Sequence, residues 1–229
     1  ATLYWSGDGV NNGGNGTWDT TSQNWGNSGG PYNQTWNNGN LDTAIFQNTY
    51  EVGWFGYTVT LGANVTAGRL QAVNSGSTTT TIDPDVGGLY KITLDATGGS
   101  TTIDDSDDPL IINAPIELTG SAQQFRGNVT VNGVISGNQA LSYYTSAATA
   151  LTLSGNNTFT GGFTLYYDRK VVVGHDNALG TGDFTVDAFG RTYYLAATNG
   201  DRTIDNNFAG QNWHQTYVFQ GTDDLTFTG

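Results

Sequence analysis

Asp104-Asp105-Ser106-Asp107-Asp108-Pro109 is the densest run of charge in the chain. Carboxylates at i, i+1, i+3 and i+4 on a turn offer hard oxygen ligands of the kind Ca²⁺ gathers, about six to eight at a time. Asp104, Asp105, Asp107 and Asp108 are therefore the candidate metal ligands, and Ca²⁺ is the one cofactor to weigh. The run lacks the D-x-[DN]-x-[DN]-G loop with its downstream Glu, and it is not a G-G-x-G-x-D nonapeptide. A solvated turn leaving a strand is the competing reading.

A second group is aromatic. Trp18, Trp25, Trp36 and Trp54 sit in an Asn- and Gly-rich N-terminal stretch that holds five of the six tryptophans. Indole faces stack on sugar rings, so these four are the candidate carbohydrate platform. Large aromatics also cover the apolar cross-section that a stacked fold exposes at its end, and an end cap is the competing reading.

Catalytic constellations are missing from the sequence. His175 and His214 are the only histidines, have no metal-ligand spacing, and read as turn residues. There is no Gly-x-Ser-x-Gly elbow, and Gly161-Gly162 lacks the Lys and the following helix that a phosphate cradle needs. Twenty acidic residues guarantee chance carboxylate pairs, so a pair in sequence does not argue for a glycosidase. Asp168-Arg169-Lys170 brings two of the few basic residues together and reads as a surface turn. An enzyme is not expected.

Composition narrows the class further. The 229 residues contain 33 Gly, and only 12% are charged, about half the share of an average domain. With 7 basic and 20 acidic residues the net charge is −13, which repels phosphate backbones and anionic lipid. Nucleic acid and membrane insertion are not expected. The absence of Cys rules out disulfides and thiolate chemistry. With no Met, a chain beginning at Ala1 reads as processed or trimmed.

These residues must be held by short strands. In Tyr57-Thr58-Val59-Thr60-Leu61 apolar residues alternate with Thr, so one face is buried and the other wet. Similar runs recur at short intervals: Thr80–Ile82, Tyr90–Leu94, Leu110–Ile112, Ile116–Leu118, Val129–Val131, Leu151–Leu153, Phe163–Leu165, Val171–Val173, Phe184–Val186. Gly, Asn and Asp punctuate them. No stretch carries a helical apolar period. Many runs are only three residues long, and few two-residue Asn-Gly hairpin junctions occur. Leu118-Thr119-Gly120-Ser121 and Leu225-Thr226-Phe227-Thr228-Gly229 look like loosened copies of Leu151-Thr152-Leu153-Ser154-Gly155. Repetition of a unit that cannot bury its own face predicts a stacked array.

The stretch Leu151-Thr152-Leu153-Ser154-Gly155-Asn156-Asn157-Thr158-Phe159-Thr160-Gly161-Gly162-Phe163-Thr164, then Val171–Gly174 and Ala178-Leu179-Gly180-Thr181-Gly182, resembles the passenger-associated repeat of bacterial autotransporters. Trp18–Trp25 followed by Asp42-Thr43-Ala44-Ile45-Phe46 resembles the W…N-W…D-x-A-x-F opening that often precedes such repeats. The resemblance implies an all-β, right-handed, single-stranded parallel β-helix (a β-solenoid) with an aromatic-rich N-terminal cap. Residues 1–56 would be the cap and first coils, and 57–229 the remaining coils of one continuous domain. The segment Phe163–Lys170 departs from the repeat, which usually has a Gly-containing stretch there, so this coil is expected to carry a specialised lateral surface.

The resemblance implies an extracellular or cell-surface bacterial protein, non-enzymatic, acting as stalk, adhesin body or filament subunit. Host-surface or matrix glycans or proteins are the partners it implies. A carbohydrate-binding or polysaccharide-cleaving β-helix is the alternative. Open β-helix ends present unpaired N–H and C=O groups. Leu3, Tyr4 and Trp5 at one end, and Leu225 and Phe227 at the other, are therefore candidates for head-to-tail self-association. The last five residues read as the opening of a further repeat.

Overall fold

The computed structural model describes residues 1–47, 56–73, 78–97, 99, 101–105, 109–144, 149–166, 168–187, 190–210 and 215–229. Every regular element among them is a β-strand.

The alternation seen in the sequence is realised strand by strand. In β5 (Tyr57–Leu61) Tyr57, Val59 and Leu61 are buried while Thr58 and Thr60 face outward and are half-buried. Short runs of this kind turn after three to five residues because Gly, Asn and Asp follow them. One turn of the coil is then β13 (Gln123–Arg126), β14 (Val129–Val131) and β15 (Ile135–Gly137), one strand for each of three faces.

Stacking of successive coils builds the sheets. The first face is a ten-stranded sheet of β1 (Thr2–Trp5), β4 (Thr43–Phe46), β7 (Arg69–Ala72), β10 (Thr101–Asp105), β13, β16 (Leu141–Tyr143), β18 (Phe163–Tyr166), β20 (Phe184–Asp187) and β23 (Phe208–Gly210), with β3 (Trp25–Gly26) outside β1. The second has nine strands: β2 (Gly16–Trp18), β5, β8 (Thr80–Asp83), β11 (Leu110–Ile112), β14, β17 (Ala150–Leu153), β19 (Lys170–Val173), β21 (Thr192–Ala197) and β24 (Thr216–Gln220). The third has four: β6 (Val65–Ala67), β9 (Ile92–Asp95), β12 (Ile116–Thr119) and β15. A separate pair, β22 (Arg202–Ile204) and β25 (Leu225–Phe227), lies further along the chain. Among the described residues all strand pairings are parallel except β1 with β3. The chain is a parallel β-helix. Stacked rungs are about 4.8 Å apart.

Side-chain bonds between neighbouring rungs join residues 19, 21, 22 and 24 apart, which is the length of the later coils. Inward residues form continuous columns: Leu110, Val129, Leu151, Val171 and Leu195 lie side by side in register, all buried. For two coils after β15 the third face continues without regular strand, yet it stays on the ladder. Thr158 N–H donates to the Ile135 carbonyl at 2.8 Å, and Thr181 N–H to the Phe159 carbonyl at 2.9 Å. The Gly161-Gly162 pair makes the corner that follows. A Cβ on Gly161 would lie 2.2 Å from the Ala140 nitrogen, and Gly162 has φ +84°, a region open to Gly at little cost.

The repeats perceived in the sequence occupy different faces. Leu118 belongs to the third face and Leu151–Leu153 to the second, whose rung neighbours are Val129–Val131 and Val171–Val173. Parallel stacking follows inward volume and turn length, and Val and Leu serve equally well in a column.

Candidate functional site

The N-terminal aromatics meet inside the first coils. Trp25 and Trp36 have ring centroids 4.6 Å apart, Trp18 and Trp36 5.0 Å, and Trp5 and Trp25 5.3 Å, with Phe46 against them. Edge-to-face and tilted contacts at these distances are the favoured aromatic geometries. Trp5 Nε1 donates to the Gly14 carbonyl at 2.9 Å and Trp36 Nε1 to the Thr66 carbonyl at 3.0 Å. Trp18, Trp25 and Trp36 are buried, so their indole faces turn to one another and a sugar ring has no access to them. Trp54 lies outside the described residues.

Of the four candidate metal ligands, Asp104 is the one whose side chain is described. The Asp104 carboxylate pairs with the Arg69 guanidinium of the neighbouring rung. The side chain of Asp105, and all of Asp107 and Asp108, lie outside what is described. Among the described residues no three His, Cys, Asp or Glu side chains converge as a metal site.

The two ends of the coil are unlike. At the N-terminal end β1 pairs with β4 on one side and, antiparallel, with β3 on the other, Trp5 opposite Trp25. Leu3 and Trp5 are buried there and Tyr4 is half-buried. At the other end Leu225 and Phe227 remain half-buried, packed against the core, and Phe219 is 57% exposed. His175 Nδ1 accepts the Asn177 N–H at 3.0 Å, as a turn residue would. His214 is outside the described residues.

A lateral cleft opens at the corner between the first and second faces, over the coil that departs from the repeat. Its volume is about 640 Å³, and Asp168, Arg169, Lys170, Tyr194 and Gln220 are among its lining residues. The parallel register decides who meets whom: Ala150, Lys170 and Tyr194 stand on three successive rungs. Tyr194 N–H donates to the Arg169 carbonyl at 2.9 Å, tying two of these rungs together.

Asp168 shapes the turn. It is a non-glycine residue in the left-handed region, φ 36°, a conformation that costs energy and persists only when its surroundings enforce it. Here the next rung does so: Asp168 Oδ1 accepts the Thr192 N–H at 2.7 Å, and Oδ2 lies 3.2 Å from Arg191 Nη1. Asp168 is thus occupied by Arg191, while Lys170 has no ion-pair partner among the described residues. Three of the seven basic residues of a chain carrying net charge −13 gather at this corner. The sequence showed Asp168-Arg169-Lys170 as a turn; it gave no sign that Tyr194 would stand beside it.

Comparison with known proteins gives one curated relative. Over 142 residues, 57% of this chain, the sequence is 35% identical to the adhesin BmaC autotransporter of Brucella suis biovar 1 (strain 1330), and the match covers 4% of that protein. The chain thus spans a small part of the relative's length. No protein-family model matches the chain, and no solved structure matches it. The likeness to an autotransporter adhesin agrees with the resemblance drawn from residues 151–187.

Proposed function

We propose that this chain is a β-helical segment of an exported bacterial surface adhesin, non-enzymatic, that works as a stalk or adhesin body and presents lateral surfaces to its surroundings. The observation carrying the proposal is the 35% identity to an autotransporter adhesin in a chain that forms a parallel β-helix. Supporting it, the outward strand positions are rich in Thr, Ser and Gln, a polar coat along the rod. Fold by itself does not give function, so the relative bears the weight.

The test is immunolabelling of intact cells of the source bacterium with antibodies against this chain, alongside adherence of a deletion strain. Labelling without permeabilisation and reduced adherence are expected. Labelling only after permeabilisation, with adherence unchanged, would overturn the proposal.

A further inference from the structure

We propose that the cleft beside Asp168–Lys170 is a binding site for a carboxylated sugar residue of a glycan. The inference deepens the adhesin reading by naming a ligand class, and rests on it only for where the chain would meet that ligand.

The floor is built by the register. Ala150 contributes a methyl group between taller neighbours, and Lys170 and Tyr194 rise on the next two rungs. Rungs spaced about 4.8 Å apart set the ammonium and the phenol ring within reach of one pyranose. The half-buried Tyr194 ring offers an apolar face for the sugar's C–H groups, and the phenol stays available at the cleft wall. Gln220, exposed at the rim, supplies amide donors and an acceptor suited to hydroxyls. A volume of about 640 Å³ falls within the usual range for small-ligand sites, about 300–1,000 Å³.

The charge pattern selects the anion. Asp168 is neutralised by Arg191, and Lys170 has no ion-pair partner among the described residues, so its ammonium is the positive charge the cleft offers. Guanidinium and ammonium groups bind carboxylates through charge-assisted hydrogen bonds. The strained Asp168 backbone, tied to Thr192 of the next rung, fixes the turn that leads into Lys170. Beyond this corner the molecule is strongly acidic. A polysulfated chain would meet repulsion along its length, whereas a sugar with a single carboxylate brings charge only where that ammonium stands.

The test is isothermal titration of the full chain with sialyllactose and with trigalacturonate, each compared with its carboxyl-reduced form and with a sulfated heparin oligosaccharide. Binding of at least one carboxylated probe is expected, weakening with added salt. K170Q should weaken it about tenfold or more, as loss of one charge-assisted bond implies. Ala150→Trp should abolish it by filling the floor. Melting temperatures of both variants serve as the fold control. No binding of either probe, equal binding of the reduced sugars, binding of the sulfated probe alone, or retention of affinity in both folded variants would each overturn the proposal. A chain that binds these sugars but never reaches the cell surface would defeat the adhesin reading and leave this one standing.

Discussion

The amide of Asn157 donates from Nδ2 to the Ala178 carbonyl at 2.7 Å, one rung onward, and its Oδ1 accepts the Ile135 N–H at 2.7 Å, one rung back. A single buried side chain therefore pins three successive coils where the third face has lost its regular strands. Both backbone groups are buried and have no access to water in its place.

Asn157→Ala should accordingly lower stability by about 2–4 kcal/mol, since two buried backbone groups lose their partner. Asn157→Asp should fare no better, because it keeps the acceptor, removes the donor and buries a charge. Denaturant titration of the two variants checks this. A loss below about 0.5 kcal/mol in both would show that the rungs hold without the amide.

The tryptophan cluster is an enclosed core within the first coils. Trp36→Ala should cost about 3–5 kcal/mol, because the ring lies 4.6 Å from Trp25 and 5.0 Å from Trp18. Native fluorescence should be blue-shifted and indifferent to neutral oligosaccharides. A red-shifted spectrum that responds to sugars would contradict the enclosed cluster.

Toward the other end the core is a column of phenylalanines. Phe184 lies 5.9 Å from Phe163 and 5.0 Å from Phe208, so Phe184→Ala should destabilise by about 3–5 kcal/mol. Phe219, 57% exposed, should tolerate Ser within about 0.5 kcal/mol. Melting curves of the two variants, measured side by side, give the contrast.

Acid sensitivity has an identifiable contributor in the first loop. The N–H groups of Asn11 and Val10, at 2.9 and 2.8 Å, hold the Asp8 carboxyl at about 2, below its ordinary 3.8. Ser6 Oγ adds a bond at 3.0 Å. A depressed native pKa contributes stability that is complete above the unfolded value and is lost as pH falls through the native one. Asp8→Ala should therefore melt below wild type at neutral pH, with the gap closing between about pH 4 and pH 2. Asp19 moves in the same direction: burial pushes it up, but the N–H groups of Ser22 and Thr21 outweigh that. A gap that stays constant with pH would exclude the Asp8 carboxylate as its source.

Much of this architecture was readable from residue order. The period-two alternation of Tyr57–Leu61 names its own buried face, because a strand sends successive side chains to opposite sides. Crowded tryptophans foretold a buried cluster, since so much apolar surface must be covered. The departure of Phe163–Lys170 from the repeat marked the coil where the cleft opens. Asn157 was not legible: a polar residue in a Gly- and Asn-rich stretch looks like an exposed turn until the neighbouring rungs supply its partners.

The sequence by itself determined that the chain is all strand, that its strands are short, and which side of each faces inward; those are local consequences of side-chain alternation and turn residues. Only the tertiary structure decided which strands share a face and which residues from separate coils stand together. Coil lengths vary, so the stacking register is settled by whole-rung packing and hydrogen bonding, and it alone sets Tyr194 against Lys170 and Leu151 between Val129 and Val171.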